Sequence, residues 1–199
     1  MGAPVFEHHE LGLSWLADGD EKMARACHAI VTETGVWVID PVIVEGLEQR
    51  LGELGAPIGV VQLLDRHDRD CAALAERLGV PHHRVPFEGV PDSPFEVVKV
   101  VDNRFWKEAA LWWPDRKALV VAEAVGSAPY FCAGAEPLGI HPMLRGIPPR
   151  GQLGGFEPEH LLSGHGIGMH GPGTAAALAD SLAASRRRIP AAVLSLFRG

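Results

Sequence analysis

The chain has 199 residues, 47% apolar and 22% charged, with a formal net charge of −7. That length suits a single core, which stays efficient up to roughly 250 residues, and the composition excludes disorder. The negative balance excludes a generic nucleic-acid binder, which needs a basic face, but leaves room for a local basic pocket.

In chain order, residues 29–38 are β-branched and aromatic around Thr34-Gly35. They predict two short strands, stopped by Ile39-Asp40-Pro41. Residues 47–54 have apolar positions at helical spacing, with Glu48, Gln49, Arg50 and Glu53 on the other face. Residues 58–64 form a nearly continuous apolar run, as in a strand buried on both faces. A charged stretch over residues 65–70 follows, then a helix from Cys71 to Leu78 ended by Gly79 and Pro81. Further strands are predicted over residues 80–86, 95–101, 109–113 and 118–122, the last leading into Glu123. Residues 130–156, rich in Gly and Pro, predict irregular loops with at most one short helix. Thr174 is the expected N-cap of a helix over residues 175–187, and Arg186, Arg187 and Arg188 suit that helix's C-terminal dipole. Strands and helices alternate, so the class is α/β. No internal repeat or linker divides the chain, and one domain over residues 1–199 is expected.

Cys27, Cys71 and Cys132 are too few and scattered for a disulfide framework, so a reducing cytoplasm is expected. No run approaches the roughly 18 apolar residues of a membrane span. Glu7, His8, His9 and Glu10 stand where the apolar stretch of a signal peptide would run. No membrane and no nucleic-acid partner is expected.

Four features then recur in a telling order. A hairpin closes on Ile39-Asp40-Pro41. A buried strand ends in Asp65-Arg66-His67-Asp68-Arg69-Asp70-Cys71. A later strand ends in Ala122-Glu123, and Gly164-His165-Gly166 follows towards the C-terminus. Over residues 28–185 this order resembles the metallo-β-lactamase superfamily, whose second feature reads Thr-His-x-His-x-Asp-His and whose third reads Gly-Asp. The resemblance implies a four-layer αβ/βα sandwich, two mixed sheets flanked by helices. It also implies that residues 65–71 and 164–166 lie together at one sandwich edge.

Mapped residue by residue, the family's first metal site falls on Arg66, Asp68 and a position near Asn103 or Arg104, where active members have histidine. A guanidinium stays protonated and does not ligate metals. The second site falls on Asp70, Cys71, Glu123 and His165, whose carboxylates, thiolate and imidazole are all zinc ligands. The resemblance therefore implies at most one zinc, with Arg66, His67, Asp68 and Arg104 lining the cleft. No catalytic residue is assigned. Charge accounting adds that Arg66 can pair with Asp70 or Glu123 in place of a metal.

Each feature also fits a purely structural role. Cys71 opening a helix suits a buried small apolar residue, Asp70 an N-cap, and His165 a hydrogen bond across a tight loop. His8-His9 and His82-His83 read as surface pairs, because neighbours on a strand point to opposite faces. The loop over residues 164–173 lacks the lysine of a phosphate-binding loop. Trp106, Trp112 and Trp113 suit a core as well as a ligand pocket. Two functions remain open, and the loss of the first-site histidines favours the first. One is a non-catalytic binding or scaffold protein, a pseudoenzyme with an eroded dimetal site that takes a small or anionic ligand. The other is a single-zinc hydrolase of an ester, thioester or phosphodiester.

Overall fold

The structure, a computed structural model, describes residues 2–67 and 69–196. Two sheets face each other. The first has six strands in sequential order, β1 (Val5–His9), β2 (Gly12–Leu16), β3 (Ala26–Thr32), β4 (Gly35–Ile39), β5 (Pro57–Gln62) and β6 (His82–Arg84). The second has five, in the order β13 (Met169–His170), β12 (His160–Ser163), β9 (Ala118–Val121), β8 (Trp106–Trp113) and β7 (Glu96–Asn103). A two-stranded ribbon, β10 (Val125–Gly126) with β11 (Gly139–Ile140), stands beside them. Both large sheets are mixed: β4, β5 and β6 pair in parallel, as do β9 and β12, and the other pairs are antiparallel.

The period-2 rule sorts each strand between two cores. In β4, Trp37 and Ile39 enter the layer between the sheets, while Val36 and Val38 face outward. There they meet Leu47 and Leu51 of α1 (Leu47–Leu54), and Cys71, Leu74 and Ala75 of α2 (Cys71–Leu78). In β9, Ala118 and Val120 face the first sheet, while Leu119 and Val121 pack on the other side. Their partners are Leu153 of α3 (Arg150–Leu153) and Leu178 and Leu182 of α4 (Thr174–Ala184). A last helix, α5, covers Ile189–Leu196. The result is helices, sheet, sheet, helices: the αβ/βα sandwich expected from the sequence.

Differences from the sequence reading have local causes. The β1–β2 hairpin, which the sequence did not suggest, begins on β1 with its side chains largely exposed. Thr174 is the first residue of α4 rather than its cap, and its hydroxyl donates to Gly171 O at 2.8 Å. His9 is half-buried and stacks on His170 with centroids 4.9 Å apart, so it is not a surface residue. His83 packs against Trp37 at 5.7 Å.

Backbone bonds stitch the two sheets together at one end. Ala109 N donates to Leu63 O (2.8 Å), Asp65 N to Lys107 O (3.0 Å) and Ala26 N to Gly164 O (2.9 Å). The C-terminal ends of β4, β5, β9 and β12 thereby converge. Among the described residues, no helix is long and apolar enough to cross a membrane.

Candidate functional site

Asp40 is the hub of this convergence. It leaves β4 with φ of 45°, a left-handed conformation that Asp tolerates better than most residues. Its Oδ1 accepts the Leu63 N–H (3.0 Å) and its Oδ2 faces His67 Nδ1 at 3.1 Å. Burial alone would raise the Asp40 pKa. His67, Arg69 and the Leu63 N–H outweigh that and hold the carboxyl below its ordinary value. An ionised Asp40 can only accept, so a proton lies on His67 Nδ1, and the neutral ring then has its lone pair on Nε2.

His165 is fixed in the same manner. Met23 O lies 2.9 Å from Nδ1, and a carbonyl can only accept, so Nε2 again keeps its lone pair. Burial, reinforced by the charge of Arg69, lowers the His165 pKa to about 3. Gly166 supplies the φ of 76° that the turn after His165 needs. At Gly164 a Cβ would collide with Ala122 O and come within 3.2 Å of His67 Cε1, so glycine there lets the imidazole in.

Between the rings stands Glu123, whose side chain is 12% exposed. Its Oε1 is 3.9 Å from His165 Nε2. One ligand atom from each of His67, Glu123 and His165 lies within 4.8 Å of the others. Both Nε2 atoms are buried without a hydrogen-bond partner among the described residues. His141 Nε2 is also near, 3.7 Å from Glu123 Oε1. However, its Nδ1 accepts the Met143 N–H (3.2 Å), which leaves the proton on Nε2 and makes His141 a donor towards Glu123, not a ligand. Glu108, fully buried, aims Glu123 from behind: its Oε1 accepts the N–H groups of Glu123 and Ala124, each at 2.9 Å.

Two arginines complete the site. Arg66 lies on the Trp106 ring at 3.9 Å, donates to Phe105 O (3.0 Å) and reaches Glu123 Oε2 at 3.4 Å. Of the two carboxylates considered for it, Glu123 is the one it meets. Arg69 donates to the carbonyls of Ala26 (2.5 Å), Asp40 (3.0 Å) and Gly164 (2.8 Å), joining three loops. A shallow pocket of about 230 Å³ opens over Arg25, Arg66, His67, Arg69, Glu123 and His165. A larger cavity of about 600 Å³ lies at the opposite strand ends, around Thr32, Asp92 and Trp113. Among the described residues, it brings together no His, Cys and carboxylate group of the metal-binding kind.

A hydrogen-bonded chain runs behind the site. His28 Nε2 faces Ser163 O at 2.9 Å and must donate to it. His28 Nδ1 then accepts from Ser14 Oγ (2.7 Å), which in turn accepts from His9 Nε2 (2.9 Å). Ser163 Oγ donates to the carbonyls of His165 and Gly166, both at 2.9 Å.

The structure brings Glu123 and His165 together with His67, and leaves two of the expected metal ligands outside. Cys71 packs in the helix-facing core with Leu13, Trp15 and Leu74, and burial raises its pKa above the ordinary thiol value. Asp70 Oδ2 accepts the Ile43 N–H at 2.8 Å, tying down the loop after β4. The cause is the start of α2, which carries Cys71 into the helix-facing core and leaves Asp70 on the loop after β4. Arg104 is exposed and stacks on Phe105 at 4.5 Å, in the β7–β8 turn. Asp68 lies outside the described residues. Sequence reasoning did not single out His28, Glu108 or His141; of these, only Glu108 carried a signal, a carboxylate within an apolar strand.

The layering and strand order are those of the metallo-β-lactamase fold. No protein-family model and no curated protein matches the chain. Among solved structures, it is similar to the DIM-1 metallo-β-lactamase, with TM-score 0.60 and 13% identity over 96% of this chain and 98% of that one. A metallo-β-lactamase from Erythrobacter litoralis gives TM-score 0.61 and 8% identity over 92% and 93%. TTHA1623 in a di-iron-bound form gives 0.53 and 16% over 81% and 95%. At such identities the likeness establishes the fold alone.

Proposed function

We propose that this chain is a hydrolase of the metallo-β-lactamase fold that works with one divalent metal ion, held by His67, Glu123 and His165. The expected substrate is an ester, thioester or phosphodiester. One observation carries the reading: two buried imidazole Nε2 atoms, without partners among the described residues, flank a carboxylate, each ring fixed through its other nitrogen. Leaving a buried polar atom unpaired costs roughly 1–3 kcal/mol, and two such atoms aimed at one point suit a Lewis acid. Two histidines and a glutamate form a three-ligand zinc set that keeps a position open. A metal there would lower the pKa of a bound water towards about 7.

The chain's own groups do the positioning. Asp40 orients His67, the carboxylate–histidine support common behind metal ligands. Met23 O orients His165, and Glu108 fixes the backbone of Glu123.

A second reading rests on the Arg66–Glu123 ion pair, which suits a non-catalytic binding protein whose cleft is shaped by charge. Metal analysis decides between them. Protein purified without a histidine tag and equilibrated with zinc is expected to hold one equivalent, and His67→Ala or His165→Ala to lose it. A wild-type chain that holds no metal would reject the hydrolase reading in favour of the binding protein.

A further inference from the structure

Among the described residues, the pocket has no negative charge to spare for a metal ion. Arg25 is neutralised by Glu21, 2.8 Å away. Arg69 spends its Nη atoms on three backbone carbonyls and has no carboxylate partner among the described residues. Glu123 and Asp40 are then two carboxylates facing two guanidiniums, Arg66 and Arg69, with His67 and His165 between them. A divalent ion added to that balanced set brings two positive charges that nothing described in the pocket offsets. Bringing like charges close in a partly enclosed site is unfavourable, so an anionic ligand beside the ion is favoured.

Arg66 is built to receive one. Its side chain is 41% exposed at the pocket mouth, and the Trp106 ring supports one face of the guanidinium. Phe105 O and Glu123 Oε2 engage two of its N–H groups among the described residues. A guanidinium has five, in a planar fork suited to phosphoryl or carboxylate oxygens. The contact with Glu123 uses Oε2, while Oε1 is the oxygen turned to His165, so Arg66 and a metal do not compete for the same atom.

We propose that Arg66 is the receptor for an oxyanion, a phosphoryl or carboxylate group of the ligand, which binds cooperatively with the metal ion. The proposal rests on the single-metal reading above and adds the class of ligand.

Cobalt(II) titration of the tag-free chain, followed by its visible absorbance, tests it in three arms: no anion, excess methylphosphonate, and excess acetate. Cobalt affinity is expected to rise about tenfold or more with the anion that fits, a typical coupling between two sites. A response to methylphosphonate alone assigns a phosphoryl ligand, and a response to acetate alone a carboxylate. In Arg66→Ala, checked for folding by circular dichroism, the anion effect is expected to vanish while cobalt still binds. Arg66→Lys, which keeps the charge and loses the fork, should retain part of it. Cobalt binding that ignores both anions would overturn the proposal and leave the single-metal reading standing. An undiminished anion effect in Arg66→Ala would remove Arg66 as receptor, and absence of cobalt binding would overturn both.

Discussion

Lowering the pH from about 7 to about 5 tests the burial of His28. The ring is 1% exposed and bonded at both nitrogens, and burial lowers its pKa from 6.5 to about 3. The unfolded chain takes up a proton near the ordinary value, and the folded chain refuses it until far lower pH. The stability from His28 is therefore complete above about 6.5 and drains away as pH falls towards 3. Down to pH 5 the loss spans about 1.5 units at 1.36 kcal/mol each, about 2 kcal/mol. His165 has the same sign and a similar size in metal-free protein. Glu108 has the opposite sign: burial raises its pKa to about 7, so its contribution is full below 4.5 and lost as pH rises through 7. His9, lowered to about 4, adds a third histidine of the same sign, and Glu108 offsets roughly one of the three, so the wild-type curve alone cannot isolate His28. The comparison that does is urea unfolding of wild type and His28→Gln at both pH values, with chelator present. Glutamine can serve both Ser14 and Ser163 without titrating. The variant is expected to lose about 2 kcal/mol less than wild type across the window. Equal losses in the two proteins would refute the reasoning.

Zinc at about 100 times its dissociation constant should stabilise the fold by about 2.7 kcal/mol and raise the melting temperature by roughly 5–10 °C. His67→Ala should abolish that rise in a thermal scan. Cys71→Ala should leave metal content unchanged, since the thiol sits in the core against Leu74, and should cost about 1 kcal/mol in denaturant unfolding. Loss of metal in that variant would return Cys71 to the ligand set. Glu108→Gln places an amide N–H₂ against either the Trp106 indole N–H or the Glu123 and Ala124 N–H groups. A destabilisation of about 1–3 kcal/mol is expected, and an unchanged urea midpoint would count against the assigned bonds.

Much of the scaffold was legible because its signals are local. Gly79 adopts a left-handed conformation at the end of α2, where a glycine before Pro81 announced a stop. Asp40-Pro41 ended β4, and the apolar run around β5 proved buried towards its C-terminal half. The β1–β2 hairpin escaped because only its second strand is buried. The α5 helix was not predicted, and its Pro190 stands in the first helical turn, where proline is tolerated. Site residues depend on which way a loop turns, and that is not a local property. His67 faces the cleft because Asp40, distant in sequence, holds its ring. Asp70 and Cys71, only three and four residues later, are carried away by the start of α2. A family pattern lays these positions out in order, but the direction of each side chain is decided by partners from other strands.

On the single-metal reading proposed above, Arg69 has a consequence for how the protein would live with metal scarcity. Its guanidinium is a cation tethered to the chain, fastening the ends of β4 and β12 and the start of β3 through their carbonyls. A tethered cation cannot diffuse away, be chelated or be exchanged for a competitor. The loops that shape the pocket therefore have a permanent anchor, and filling or emptying the pocket is separated from the integrity of its walls. A chelator would strip the ion and leave the frame standing, ready to be reloaded without refolding.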